Sequence, residues 1–404
     1  MTEENKISTG FEIEVPFDYD DPKDGFGVIY YEFGKPYQED KPTVFIISDA
    51  QQFYIRKGEV VNFQERWFGE DFNVLGIVGR GTSPMFIEKA LDSDGKPDWL
   101  QAWKTFKTSQ WLGDIESVRK VVVGEKGQIM IYGESGGAML AHQYLAEYGQ
   151  HVAKAFTRAC LHPYLAADLG LNSDRFWKEI GEYDPKLYAL VNMALDRYKD
   201  QRQVVVMTLQ RQNFFVVPDE LGAARAELIQ ALADGDEEYF SEVREKYEVD
   251  AVNEIMRTND VIPIRVRLFE FLIPSDARER LKENVLYPDY EVQVNLSKPL
   301  LELYDTGKIP PIYFDFTGLH SLSGEVFILA GRWDHVVDYR TSIALAANYP
   351  GGFLFLADDD HMFKGFEDSG LLAPMLQSFF LEGMESEIFT QSVKNAEPHR
   401  WKES

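Results

Sequence analysis

The sequence predicts an α/β fold: a mostly parallel sheet flanked by helices and interrupted by a large inserted helical cap. Three observations carry this expectation. Runs such as Thr43-Val44-Phe45-Ile46-Ile47 and Gln128-Ile129-Met130-Ile131-Tyr132 do not alternate with polar residues, the pattern of strands covered on both faces. Helix-period segments, Gly113 to Val123 and Ala138 to Tyr148, lie beside them. From Leu165 to about Pro311 the texture changes to long, charged, helix-prone sequence, after which strand-like runs return.

In chain order, the expected strands are Phe11 to Phe17, Gly27 to Phe33, Thr43 to Ser48 and Asn73 to Val78. Turn signals such as Asp20-Asp21-Pro22 and Asp92-Ser93-Asp94-Gly95 fall between elements. The run Gln128 to Tyr132 leads into a glycine-flanked serine, and a helix leaves from it. Within 165–311, Asp219 to Ala233 and Asp236 to Tyr247 are the clearest helices. Glu325 to Ala330 and Gly352 to Ala357 restore the strand pattern, with helix-like Tyr339 to Tyr349 between them. The expected organisation is a core in two parts, 1–164 and 312–404, with a cap or lid, 165–311, between them.

Composition narrows the function classes. An apolar share of 45% with 14% aromatics over 404 residues fills a sizeable core and excludes general disorder. The 67 Asp and Glu against 41 Lys and Arg give a net charge of −26. That balance argues against nucleic acid, whose affinity comes from Lys and Arg displacing counterions, and against anionic membranes. The single Cys160 excludes an intramolecular disulfide or a Cys-based metal site within one chain and fits a reducing compartment. The polar start Met1-Thr2-Glu3-Glu4-Asn5-Lys6 lacks the apolar stretch of a signal peptide, and no run of about 18 apolar residues occurs. A soluble cytoplasmic protein is expected, with its oligomeric state open.

Gly133-Glu134-Ser135-Gly136-Gly137 matches G-x-S-x-G, the elbow that lifts a nucleophilic serine above a sheet edge between a strand and a helix. Such a serine needs a base, and the base an orienting carboxylate. The strand run Val326 to Ala330 ends in Gly331-Arg332-Trp333-Asp334-His335, and Phe353 to Ala357 ends in Asp358-Asp359-Asp360-His361. Asp334 and His361 thus sit at consecutive strand ends in the order serine, acid, histidine, and are the first choices for acid and base. His335 and His320 are rival bases; Asp338 and the run Asp358 to Asp360 are rival acids. That run beside the base predicts a raised His361 pKa and an acidic limb of the pH–rate profile that falls with salt. No phosphate-loop, dinucleotide or calcium-loop pattern is complete, so no cofactor and no metal are implied.

At these residues the chain resembles an α/β-hydrolase of the proline iminopeptidase and tripeptidyl aminopeptidase group of serine peptidases. Val15-Pro16-Phe17-Asp18-Tyr19-Asp20-Asp21-Pro22 is similar to the V-P-L-D-Y-x-x-P opening of that group. Gly79-Arg80-Gly81-Thr82-Ser83 resembles its Q-R-G-x-G-x-S loop, and Asp114-Ile115-Glu116-Ser117-Val118-Arg119 its D-I-E-x-L-R helix. Gly331 through Ile343-Ala344-Leu345-Ala346 to His361 is similar to its acid–helix–strand–histidine ending. The resemblance implies an α/β-hydrolase fold and removal of N-terminal residues from short peptides, with acidic cap residues holding the free amine. Where that group has H-G-G-P-G, this chain has Ser48-Asp49-Ala50-Gln51-Gln52; the Ala50 and Gly136 N–H groups are the candidate oxyanion donors. Arg267-Leu268-Phe269-Glu270 weakly resembles the R-I-E segment that supplies an amine-binding glutamate, which makes Glu270 a candidate. Glu134, before the serine, is either a structural hydrogen-bonding residue or faces the pocket. The expected substrate is therefore a small peptide or an ester; an esterase and a vestigial binding protein are the alternatives.

Overall fold

The computed structural model describes residues 9–48, 57–171, 176–255, 257–258, 261–275 and 288–402. Among the described residues, eight strands form one sheet: β1 (Gly10–Pro16), β2 (Phe26–Phe33), β3 (Thr43–Ile47), β4 (Asn73–Val78), β5 (Ile129–Glu134), β6 (Val152–Arg158), β7 (Glu325–Gly331) and β8 (Gly352–Ala357). Their spatial order is β1-β2-β4-β3-β5-β6-β7-β8. The β1–β2 and β2–β4 pairs are antiparallel and every other pair is parallel. This is the α/β-hydrolase fold. All five residues of β3 are buried, as continuous apolarity demands of a strand covered on both faces.

Helices α1 (Val60–Trp67), α2 (Pro84–Lys89), α3 (Trp99–Phe106), α4 (Thr108–Val123) and α5 (Gly136–Tyr148) cover the first half of the sheet. One apolar layer contains Ile131, Met139, Leu140, Val152 and Ile328, with α5 pressed onto the sheet. The opposite layer holds a row of rings at one register across four neighbouring strands: Tyr132 opposite Phe156, Phe156 opposite Phe327, and Phe327 opposite Phe353. Their centroids lie 6.0, 4.6 and 5.3 Å apart in stacked geometry, close to the spacing of adjacent strands.

Strand β6 is an element the hydrophobic pattern does not announce, because Lys154 and Arg158 interrupt it. Both cations reach polar partners at the sheet margins. Lys154 Nζ donates to the Phe380 carbonyl at 2.8 Å, and Arg158 joins Glu134 and Glu367. The apolar stems stay in the sheet while the charges leave it.

Between β6 and β7 the described chain is helical, in two parts. Residues 176–249 pack around their own apolar cluster, which includes Ile180, Val191, Val206, Leu228 and Phe240. The helix Val261–Leu272 instead buries Ile262, Val266, Phe269 and Leu272 in the main core, beside Leu300 and Leu301 of the helix Pro288–Asp305.

Three of the segments that carry the resemblance, 15–22, 79–83 and 114–119, converge in space. Arg80 grips Asp114 through Nε at 2.8 Å and Nη2 at 2.7 Å, and also donates to the carbonyls of Phe17 and Thr105 at 3.1 and 2.8 Å. The Tyr19 hydroxyl donates to Asp114 Oδ1 at 3.1 Å. Arg119 holds Glu116 through two 2.8 Å bonds, and Tyr144 donates to the same carboxylate. These motif residues tie β1, the loop after β4 and α4 together with buried charges that are paired, as buried charges must be. After β8 the chain returns to the sheet margin: Ala357 bridges Arg400, Asp358 N donates to the His399 carbonyl, and Trp401 N to the Leu356 carbonyl. Among the described residues, no helix is long and apolar enough to cross a membrane.

Candidate active site

Ser135 is the single residue between β5 and α5, with φ 51° and ψ −122°. A non-glycine side chain rarely adopts this region, so the turn stores strain at the place where a serine is displayed. Local bonds hold it there: Ser135 N donates to the Arg158 carbonyl at 3.0 Å, and Met139 N to the Ser135 carbonyl at 3.2 Å. Gly133 permits the turn, since a Cβ there would lie 2.8 Å from the Gly137 carbonyl oxygen and 3.0 Å from the Ala138 Cα.

Two later strand ends supply the partners. Gly331 and Ala357 are in register, so the loops after β7 and β8 emerge side by side. A Cβ on Gly331 would meet the Asp360 carbonyl oxygen at 2.5 Å, so this crossing requires glycine. His361 Nε2 lies 3.2 Å from Ser135 Oγ, and His361 Nδ1 lies 2.8 Å from Asp334 Oδ2. An ionised carboxylate only accepts, so Nδ1 carries the proton and Nε2 presents its lone pair to the serine O–H. Asp334 Oδ1 accepts from Val336 N and Val337 N, both at 2.8 Å, which fixes the carboxylate. Asp334 and His361 are buried, and Ser135 is partly exposed.

Burial is the largest single influence and opposes a charged His361, but the charge and hydrogen bond of the Asp334 carboxylate, joined by smaller contributions, together outweigh it. Asp360 and Glu134 add to the effect, and the imidazole titrates above its ordinary value. The sequence pointed to the Asp358 to Asp360 run as the source; Asp334 is the stronger one. The run is itself held by hydrogen bonds. Asp358 Oδ1 accepts from Trp333 Nε1, Asp359 Oδ2 from Phe366 N, and the buried Asp360 from Met362 N and Phe363 N.

The rivals lie elsewhere. His335 Nδ1 pairs with Glu179 Oε1 at 3.0 Å, and His320 sits exposed on the turn Thr317–Ser321. Asp338 caps the helix Tyr339–Ala346 through Arg340 N at 3.0 Å. Gly136 opens α5, where the first N–H groups of a helix have no intrahelical acceptor and attract negative charge. Ala50, the other expected oxyanion donor, lies outside the described residues.

Glu270 is placed differently from the expectation of an amine-binding carboxylate. It is buried and accepts from Thr108 N at 3.0 Å and Thr108 Oγ1 at 2.6 Å, with Arg267 Nη1 at 3.1 Å. Thr108 is the first residue of α4, so Glu270 acts as a tertiary cap for that helix's free amides. A carboxylate already engaged by these donors is a structural anchor. Glu134 is likewise structural: it accepts from Arg158 Nε at 2.5 Å and the Tyr132 hydroxyl at 3.1 Å. Arg158 also pairs with Glu367, which accepts from Arg66 Nη2 at 2.7 Å, linking the serine turn to the helix that follows His361.

One neighbour carried no sequence signal. The Phe214 ring meets the His361 ring edge to face, with centroids 5.6 Å apart. It comes from the helical insertion, 147 positions away along the chain. Among the described residues, no group of three or more His, Cys, Asp or Glu is placed to hold a metal ion.

A scan against protein-family models finds no match, and a search of curated proteins finds none. Among solved structures, the chain is similar to a probable hydrolytic enzyme from Pseudomonas aeruginosa PAO1, at 12% identity over 94% of this chain and 95% of that one, TM-score 0.44. It is similar to an α/β-hydrolase enzyme from a Medee basin deep-sea metagenome library, at 12% identity over 89% and 96%, TM-score 0.43. An esterase from Exiguobacterium antarcticum is 13% identical over 87% and 95%, TM-score 0.43.

Proposed function

We propose that the chain is a serine hydrolase working by acyl transfer. The observation that carries this reading is the unbroken chain of contacts from Asp334 through His361 to Ser135, ending on a serine held in a strained turn. Ser135 Oγ attacks the substrate carbonyl carbon while its proton passes to His361 Nε2. The carbonyl oxygen becomes an oxyanion against the Gly136 N–H, with Ala50 the proposed second donor. His361 then returns the proton to the departing amine or alcohol as the carbonyl–heteroatom bond breaks. Water repeats the sequence on the acyl-enzyme and restores Ser135. Asp334 keeps Nδ1 protonated and stabilises the imidazolium. The insertion at 165–311 serves as a cap over this site, and a single buried Cys160 supports a cytoplasmic setting.

Within this class, the first reading is an aminopeptidase acting on short peptides with free N-termini, supported by the resemblance around Asp18, Arg80, Asp114 and Glu116. Those residues are engaged in the scaffold, and so is Glu270. That engagement favours a second reading, a carboxylesterase or other small-molecule hydrolase on the same machinery. A fluorophosphonate probe should label the wild-type protein at Ser135, and Ser135→Ala should abolish labelling and turnover without unfolding the chain. Turnover retained by the alanine variant would overturn the assignment. Aminoacyl, dipeptidyl and tripeptidyl arylamides, free and N-blocked, together with simple esters, separate the two readings. Cleavage confined to unblocked amides supports the peptidase, and indifference to the block supports the esterase.

A further inference from the structure

Asp334 and His335 are chain neighbours whose side chains serve different partners. Asp334 holds His361, while His335 Nδ1 meets Glu179 Oε1 at 3.0 Å, on the insertion helix Phe176–Tyr183. The other Glu179 oxygen pairs with Arg225, on the helix Pro218–Asp234. Arg225 donates through its second terminal nitrogen to the Asn213 side-chain oxygen. Asn213 precedes Phe214, whose ring packs on His361. The contacts therefore close on themselves: Asp334, His335, Glu179, Arg225, Asn213, Phe214, His361 and back to Asp334. Both ends of this path through the insertion land on the acid–base pair.

Position and chemistry favour a latch over an incidental surface pair. The Arg225 side chain is 4% exposed, the Glu179 side chain 23% and the His335 side chain 14%. Exposed ion pairs contribute little, whereas a half-buried carboxylate flanked by two donors, one from each side of a boundary, resists separation of those sides. Arg225 also lies over the Phe176 ring at 5.6 Å, a further contact on its guanidinium. Helices within 176–249 have their own apolar cluster, and the His335–Glu179 contact joins them to the loop after β7.

We propose that Glu179 is a positioning residue: it pins the helical insertion to the loop carrying the proposed acid and thereby seats Phe214 against His361. The proposal rests on the serine-hydrolase reading. With the pin in place, the imidazole is confined between Asp334 and the Phe214 ring, and Nε2 stays aimed at Ser135. Without it, the insertion lifts, Phe214 withdraws and the base loses one wall.

The test compares wild type with Glu179→Ala, His335→Ala, the double variant and His335→Gln, using hydrogen–deuterium exchange and fluorophosphonate labelling of Ser135. The expected result is faster exchange across 205–216 in both alanine variants, together with a labelling rate at saturating probe at least tenfold lower and a half-saturating concentration close to wild type. The double variant should be no slower than the worse single one, because both cut the same link. His335→Gln, which keeps an N–H donor, should recover most of the rate. Unchanged exchange in both alanine variants would overturn the latch. Altered exchange with unchanged or faster labelling would overturn the positioning role. Should Glu179→Ala not fold, His335→Ala decides alone, since it removes the His335 donor and leaves Arg225 paired. A wild-type protein that no probe labels would overturn the hydrolase reading and the positioning role with it, while exchange would still report whether the latch exists.

Discussion

His361 is nearly sealed from water, and that sealing alone would keep it neutral. Asp334, with Asp360 and Glu134 beside it, wins against burial, so imidazolium persists above the ordinary histidine value of 6.5. A general base must be neutral to accept the serine proton. Activity should therefore rise with pH through that elevated value and be lost as pH falls below it. The carboxylates responsible are themselves shielded, Asp334 at 3% exposure and Asp360 at 5%, and mobile ions screen such pairs poorly. The acidic limb should consequently stay in place between low and moderate ionic strength, unlike the salt-sensitive limb expected from an exposed aspartate run. Asp334→Asn should move the limb to lower pH and reduce the plateau by on the order of 10⁴-fold through loss of the correct tautomer. A pH series of labelling rates at two salt concentrations checks both. A limb that moves with salt would mean that water reaches these carboxylates.

Helix α4 begins where a carboxylate from another part of the chain meets it, and this capping sets the role of Glu270. Glu270→Gln should cost about 3–5 kcal/mol, the usual consequence of breaking a buried pair, measured as a lower urea midpoint at unchanged slope. It should leave the preference for free over blocked amines unaltered; a selective loss on free-amine substrates would restore Glu270 to the pocket. This contact also marks the limit of what the sequence makes legible. Strands β3, β4, β7 and β8 were readable to within a residue because their apolar runs are uninterrupted. Ser135, Asp334 and His361 were readable because strand ends announce themselves. Glu270 meets Thr108 across 162 positions, and Phe214 meets His361 across 147; no local pattern encodes such partners. Strand β6 was obscured by two cations whose escape routes exist only in the folded chain.

At the scale of the molecule, two buried histidines on one side of the sheet set an acid limit to stability. His142 pairs with Tyr349 and, at 3.0 Å, with Thr157; burial, with a smaller contribution from His162, holds it down at about 3. Burial also lowers His162, to about 4, against an ordinary value of 6.5. Both folded-state values lie below the unfolded one, so the unfolded chain takes up protons first as pH falls. Stability from these groups is complete above about pH 6.5. It drains away towards pH 4 and, for His142, towards pH 3. Urea midpoints should fall steadily from pH 7 to pH 4, and His142→Gln should flatten that slope. A midpoint constant over this range would contradict the assignment of these rings as neutral.

The return of His399, Arg400 and Trp401 to β8 has a consequence for solubility. A terminal strand in a sheet leaves unpaired amides and carbonyls that can template a second chain, and proteins blunt such edges by covering them. Here the covering is the chain's own tail, bonded to Leu356, Ala357 and Asp358. Removing the residues after Glu397 should bare this margin while sparing the serine, acid and base. Light scattering of the shortened protein should then show association that grows with concentration. A shortened chain that stays as dispersed as the full one would mean that β8 guards its own edge.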